Sequence, residues 1–106
     1  MQARRAIIEV HGGPHGFRRA VVEAGQSVRV GRTSLADVVV PGDDHLAQLH
    51  WELRWDGDHC ELGDLGSVGG TFLGGQRVER AEVRSGAWVR AGGSDFSIFL
   101  EDISMA

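Results

Sequence analysis

The feature that most constrains this chain is its punctuation. Turn signals recur about every eight to twelve residues, and no stretch between them carries an apolar period near 3.6 through three turns. Helical bundles and alternating strand–helix folds are thereby excluded, which leaves short strands in a β-sandwich or barrel. The clearest alternation lies at Trp51, Leu53 and Trp55, which face one way while Glu52 and Arg54 face the other. Arg5 to Val10 reads as a strand broken by Gly12-Gly13-Pro14, and the chain returns through Phe17 to Glu23. After a turn at Gly25-Gln26, Ser27 to Val30 is a strand ending at Gly31-Arg32. Asp37 to Val40, with three consecutive valines, predicts a buried strand, stopped by Pro41. Asp56-Gly57 turns the chain into His59 to Gly63, with Cys60 and Leu62 inward. Thr71 to Leu73 and Gln76 to Val78 flank Gly74-Gly75, a two-residue turn whose members both tolerate φ > 0. Glu82 to Ser85 leads to Gly86, and Trp88 to Ala91 with Phe96 to Leu100 forms the last hairpin around Gly92-Gly93.

A length of 106 residues suits one domain with a single core. The net charge of −4 argues against a nucleic-acid footprint, for which a basic face is expected. An OB-type barrel, the alternative fold, lacks the basic and aromatic stripe that would recommend it. Cys60 is the only cysteine, so neither an internal disulfide nor a cysteine zinc cluster is expected. The segment Met1 to Val10 has too short an apolar run for a secretory signal or a spanning helix, so no membrane association is expected and the cytoplasm is the expected compartment. A small module of this kind is also compatible with excision from a longer polypeptide.

One loop organises the rest. Asp64-Leu65-Gly66-Ser67-Val68-Gly69-Gly70-Thr71-Phe72-Leu73-Gly74-Gly75 begins where a strand runs out and is dense in glycine, which permits left-handed turns and close backbone approach. Upstream lie Gly31-Arg32 and Leu46-Ala47-Gln48-Leu49-His50; downstream lies an aromatic strand. This ordered series, over about residues 5 to 102, resembles the forkhead-associated (FHA) domain. The resemblance implies an all-β, antiparallel β-sandwich of about 10–11 short strands, FHA/SMAD-like. It further implies a non-catalytic protein-interaction module that docks a protein or peptide through loops at one end, with no cofactor and no metal. Bacterial Ser/Thr kinase signalling and secretion-system assembly are the settings it suggests.

In that family the arginine of the Gly-Arg pair contacts phosphate, which assigns the role to Arg32; its planar fork suits a phosphate oxyanion. His50 falls where the family braces its loops, and its neutral ring is expected to donate to a loop carbonyl or carboxylate. Gly31, Gly66, Ser67, Gly70 and Thr71 are assigned to loop support on the same basis. The remaining ligand positions depart from the pattern. Where a phosphate-binding serine is usual there is Ala47, the next position is Gln48, and the frequent Thr and Asn of the glycine loop are Val68 and Gly69. Gly69 is expected to keep the loop's path by taking the left-handed conformation that Asn tolerates. A hydrogen bond to a charged group is worth roughly 1.5 to 3 kcal/mol, so losing two weakens binding about a hundredfold or more. The expectation is a site whose phosphothreonine recognition is weakened or lost, the alternative being a working phosphothreonine reader that uses Arg32 and Gln48.

Chemistry of another class finds little support. His11-Gly12-Gly13-Pro14-His15-Gly16 has the look of an esterase oxyanion-hole run, but no Gly-x-Ser-x-Gly elbow accompanies it, and it reads as a hairpin turn. Asp43, Asp44 and His45 read as a solvated acidic loop, since no recognised spacing supplies a third metal ligand. Cys60, between polar neighbours on a strand, reads as a buried structural thiol. A hydrolase or metal-dependent enzyme would need a nucleophile or metal that the sequence does not place beside His50.

Overall fold

The structure is a computed structural model and describes residues 2–11 and 18–104. The His11–Gly16 turn and the start of the returning strand at Phe17 lie largely outside those residues. Eleven strands follow in order: β1 (Gln2–His11), β2 (Arg18–Glu23), β3 (Gln26–Gly31), β4 (Val38–Val39), β5 (Trp51–Trp55), β6 (Cys60–Asp64), β7 (Thr71–Leu73), β8 (Gln76–Val78), β9 (Arg80–Glu82), β10 (Ala87–Ala91) and β11 (Ser94–Ser104). They form a six-stranded sheet ordered β2-β1-β11-β10-β7-β8 and a five-stranded sheet ordered β4-β3-β5-β6-β9. All pairings are antiparallel except β3 with β4, which is parallel.

The period of two decides which side chains fill the sandwich. Ala6, Ile8 and Val10 of β1 face inward with Phe96 and Ile98 of β11 and Val89 of β10; Val30, Trp51, Leu53, Trp55, Cys60 and Leu62 meet them from the other sheet. Trp51 packs edge-on to Phe96, with ring centroids 5.2 Å apart. Burying aliphatic and aromatic side chains of this size stabilises by roughly 1.5 to 3 kcal/mol each, so the alternation in β5 commits that strand's face and register.

One strand expectation is corrected, and one strand is added. The stretch Asp37 to Val40 is not a buried strand: only Val38–Val39 pairs, at an edge of its sheet, and both are half-buried while Val40 alone of the three valines is fully buried. β4 stops at Val39, two residues before Pro41, and beyond it the Val40 amide donates to the Gly31 carbonyl. Strand β9 at Arg80–Glu82 was not expected from the sequence; its partner is β6. Gly74 and Gly75 do form the tight turn between β7 and β8, with φ of 56° and 85°.

Candidate functional site

At one end of the sandwich three connections converge: the stretch after β3, the loop from Asp43 to His50, and the glycine loop between β6 and β7. His50 ties two of them. Fully buried, it accepts a hydrogen bond at Nδ1 from the Ala47 amide (3.1 Å) and donates from Nε2 to the Gly70 carbonyl (2.8 Å). Only the neutral ring protonated at Nε2 makes both bonds at once. The His50 carbonyl in turn accepts from the Leu65 amide at 2.9 Å.

Gly31 brings the first connection against the second. A Cβ at this position would lie 2.0 Å from the Gln48 carbonyl oxygen and 3.0 Å from Leu49 Cα, so only a hydrogen fits between the backbones. Directly beyond it the Arg32 amide donates to the Ala47 carbonyl, and the Arg32 Nε donates to the Leu46 carbonyl, both at 3.0 Å. The Nε bond fixes the plane of the guanidinium. Its two Nη groups have no hydrogen-bond partner among the described residues.

The glycine loop is built around Asp64, a residue the sequence reading did not single out. Its carboxylate accepts from the Gly66 and Ser67 amides (3.0 Å each), the Ser67 hydroxyl (2.6 Å) and the fully buried Thr71 hydroxyl (2.7 Å). Ser67 Oγ also accepts from the Gly70 amide at 3.0 Å, closing the loop on itself. Burial pushes the Asp64 carboxyl up, but the hydroxyls of Ser67 and Thr71 and the amides of Ser67 and Gly66 outweigh it, holding the group below its ordinary 3.8. Positive φ falls at Gly66 (78°) and Gly70 (85°). It does not fall at Gly69, contrary to expectation; nothing lies within 4 Å of a Cβ placed there, so the position is open rather than left-handed.

Asp43 also departs from expectation. It is 7% exposed rather than solvated, because its carboxylate accepts from the Gly93 amide (2.9 Å), the Ser94 hydroxyl (2.6 Å) and the His45 amide (3.1 Å). Burial raises this carboxyl and the bonds from Ser94, His45 and Gly93 lower it, with a net value below 3.8. The bond to His45 is an Asx turn, the local signal that was available; the partners in the last hairpin were too distant in sequence to be read.

The ligand positions taken from the resemblance divide into two groups. Ala47 is half-buried and Gln48 exposed beside the Arg32 backbone, where the Thr33 hydroxyl approaches the Gln48 carbonyl at 3.5 Å. Val68, 98% exposed, and Gly69 instead line a cleft of about 490 Å³ with Asp44, His45, Phe72 and Arg90. Arg90 is held in that wall by both oxygens of Asp95, at 3.0 Å each. Phe72 and Arg90 are strand residues opposite one another on β7 and β10, a placement invisible from motif order. Among the described residues no group of His, Cys, Asp and Glu is arranged to hold a metal ion.

The FHA-domain family model matches residues 28–92, and the chain belongs to the FHA family. The FHA domain of FhaA, solved with the intracellular domain of Rv3910, is 29% identical, with a TM-score of 0.78 over 88% of this chain and 98% of that one. A structure from work on phosphothreonine-dependent FHA domain interactions is 28% identical, with a TM-score of 0.81 over 90% and 95% of the two chains. The FHA domain of CT664 from Chlamydia trachomatis, 21% identical, shares the fold at a TM-score of 0.83 over 90% and 96%. Comparison with curated proteins gives no match. As an FHA domain, the chain is a non-catalytic protein-interaction module.

Proposed function

We propose that this module docks a protein or peptide partner through the loop end, with phosphothreonine recognition weakened relative to an FHA site that has its full set of side-chain donors. The observation that carries the reading is the contrast between an intact scaffold and a depleted grip. His50, Asp64 and Gly31 hold the loops through a connected set of hydrogen bonds and one close backbone approach. The positions that would face a phosphate offer methyl groups and a bare backbone at Ala47, Val68 and Gly69. Among the positions taken from the resemblance Arg32 alone carries a charged donor, and its Nε is already engaged with Leu46. With one bidentate contact left, a phosphate is attracted but poorly held.

The second reading, a working phosphothreonine reader, draws on Gln48, an exposed amide with no side-chain hydrogen bond among the described residues, beside Arg32. It also draws on the 28%-identical relative studied for phosphothreonine-dependent interactions. Amide NMR titration with a degenerate phosphothreonine peptide library and its unphosphorylated counterpart separates the two, repeated with Arg32→Ala and with the double change Ala47→Ser, Gly69→Asn. The weakened-site reading expects small phosphate-dependent shifts at Arg32 and Gly66 to Gly70 that vanish in Arg32→Ala and a gain of roughly tenfold or more in the double variant. Tight phosphate-dependent binding by the native chain establishes the second reading. Equal response to both libraries points to docking independent of phosphate.

A further inference from the structure

Most arginines of this chain are held by a carboxylate, as Arg5 is by Glu101 at 2.8 Å, Arg80 by Glu61 and Arg90 by Asp95. Two at the loop end are not: among the described residues Arg32 and Arg77 have no carboxylate within ion-pair distance. Arg32 belongs to the docking reading. Arg77 does not, since it lies on β8, outside the glycine loop and outside every ligand position taken from the resemblance.

The Arg77 side chain has a seat on the glycine loop. A Cβ added to Gly70 would lie 2.6 Å from Arg77 Nε, 2.9 Å from Cζ and 3.2 Å from Cδ, so the guanidinium and its last methylene rest directly on the glycine backbone. Gly70 is buried, has a φ of 85° and gives its carbonyl to His50, so the seat belongs to the braced part of the loop. Register sets Arg77 opposite Phe72 and Phe72 opposite Arg90, in one row on the outward face of β8, β7 and β10. Both oxygens of Asp95 occupy Arg90. Arg77 keeps all its donors, with half-buried Phe72 as its cross-strand neighbour. Gly70 and Phe72 also line the cleft that contains Val68 and Gly69, which makes this row continuous with the loop end. A guanidinium packed on backbone has lost part of its freedom before any ligand arrives, and this favours a forked contact over diffuse attraction. In a chain of net charge −4, an unmatched cation here selects locally for an acidic ligand.

We propose that Arg77 is a second anion-binding residue of the docking site, taking the carboxylate of an acidic side chain in the bound peptide while its methylenes lie on Phe72. The inference rests on the loop-end docking proposed above and gives that partner a chemistry: a peptide with an acidic residue at a fixed distance from the residue seated at Arg32. Part of the recognition is thereby carried by a flanking acid, which offsets the donors absent at Ala47, Val68 and Gly69.

The test is an NMR titration of the full chain, observing amides and arginine Nε groups, with phosphothreonine peptides in which one glutamate is scanned along both flanks. Each is compared with its glutamine counterpart. At one position glutamate is expected to improve affinity about threefold to fivefold, a gain that shrinks in about 0.5 M salt. Shifts are expected at Gly70, Phe72 and Arg77 Nε. The gain vanishes in Arg77→Gln, with circular dichroism unchanged, and persists in Arg84→Gln, which removes an equal charge from another exposed site. Glutamate without advantage at every position overturns the proposal, and so does a gain that survives Arg77→Gln. A tri-glutamate peptide separates this outcome from failure of the docking reading. Shifts centred on Arg77 that persist in Arg32→Ala and disappear in Arg77→Gln uphold the subsite even where phosphothreonine peptides leave Arg32 unmoved. Shifts at Arg32 with Arg77 silent to every acidic peptide uphold docking and overturn the subsite.

Discussion

Replacing Gly31 by alanine adds one methyl group at the tightest backbone approach in the loop end. The new Cβ would meet the Gln48 carbonyl oxygen at 2.0 Å and its carbon at 2.7 Å. Real Cβ atoms do not come nearer than about 3 Å, so the segment around Gln48 or the end of β3 must retreat by about 1 Å. Neither can move alone. The Arg32 amide and Nε bonds to Ala47 and Leu46 and the Ala47 amide bond to His50 span the same gap, and the Val40 amide bond to Gly31 holds the other side.

Overpacking of this kind costs about 1 to 3 kcal/mol, and two stretched hydrogen bonds add about 0.5 to 1.5 kcal/mol each. The expected loss is about 2 to 6 kcal/mol, which lowers the melting temperature by roughly 10 to 30 °C in a domain of this size. Thermal unfolding followed by circular dichroism measures it, and amide chemical shifts report where the strain goes. The largest changes are expected at Leu46 to His50 and at Arg32. A melting temperature within about 3 °C of the native chain would refute the argument, because the clash involves backbone atoms that no rotamer change relieves.

Asp64→Ala leaves the buried Thr71 hydroxyl without its acceptor and frees the Gly66 and Ser67 amides, an expected cost of about 2 to 4 kcal/mol by chemical denaturation. Asp43 and Asp64 both have folded values depressed below 3.8, so their stabilisation is complete above that pH and is lost as pH falls through the folded values. Acid unfolding is accordingly expected below about pH 4, with a shallower acid limb in Asp64→Ala; identical acid limbs would count against the role of this carboxylate. Gly70→Val is expected to destabilise, since φ is 85° and the Cβ would strike the Arg77 side chain 2.6 Å away, whereas Gly69→Asn should leave the melting temperature within about 1 °C. Cys60 is buried with its thiol pushed up to about 12 by burial and the Asp56 charge, so an aromatic disulfide reagent at neutral pH should label it only on unfolding.

The legible parts of the fold were those whose physics is local. The alternation at Trp51, Leu53 and Trp55 has a sharp period because one face is buried, and the Gly74-Gly75 turn needs only the conformational freedom of its own residues. Strand β9 was missed because Arg80 and Glu82 face solvent and Ala81 between them is too small to signal a core position. Asp43 was misread because the amide and hydroxyl that bury it lie in the last hairpin, fifty residues away. Gly31 was legible as a loop-support residue. The reason, an approach to Gln48 from a different connection, was not.

The same division bears on the proposed weakening of the phosphate grip. Every interaction found to shape the loop end runs through Gly31, Asp43, His50, Asp64, Ser67, Thr71 or a backbone group. Ala47 contributes to that scaffold only through its backbone; Val68 projects into solvent, and Gly69 stands clear of every neighbour within 4 Å of its missing Cβ. Substitution at these positions is thus expected to cost the fold little, and on the proposed reading its effect falls on the ligand. The proposed loss of phosphate donors at Ala47, Val68 and Gly69 would leave the scaffold intact, because the side chains at those positions take no part in holding the loops; Arg32, whose Nε donates to the Leu46 carbonyl, is the one ligand residue taken from the resemblance whose side chain also ties them.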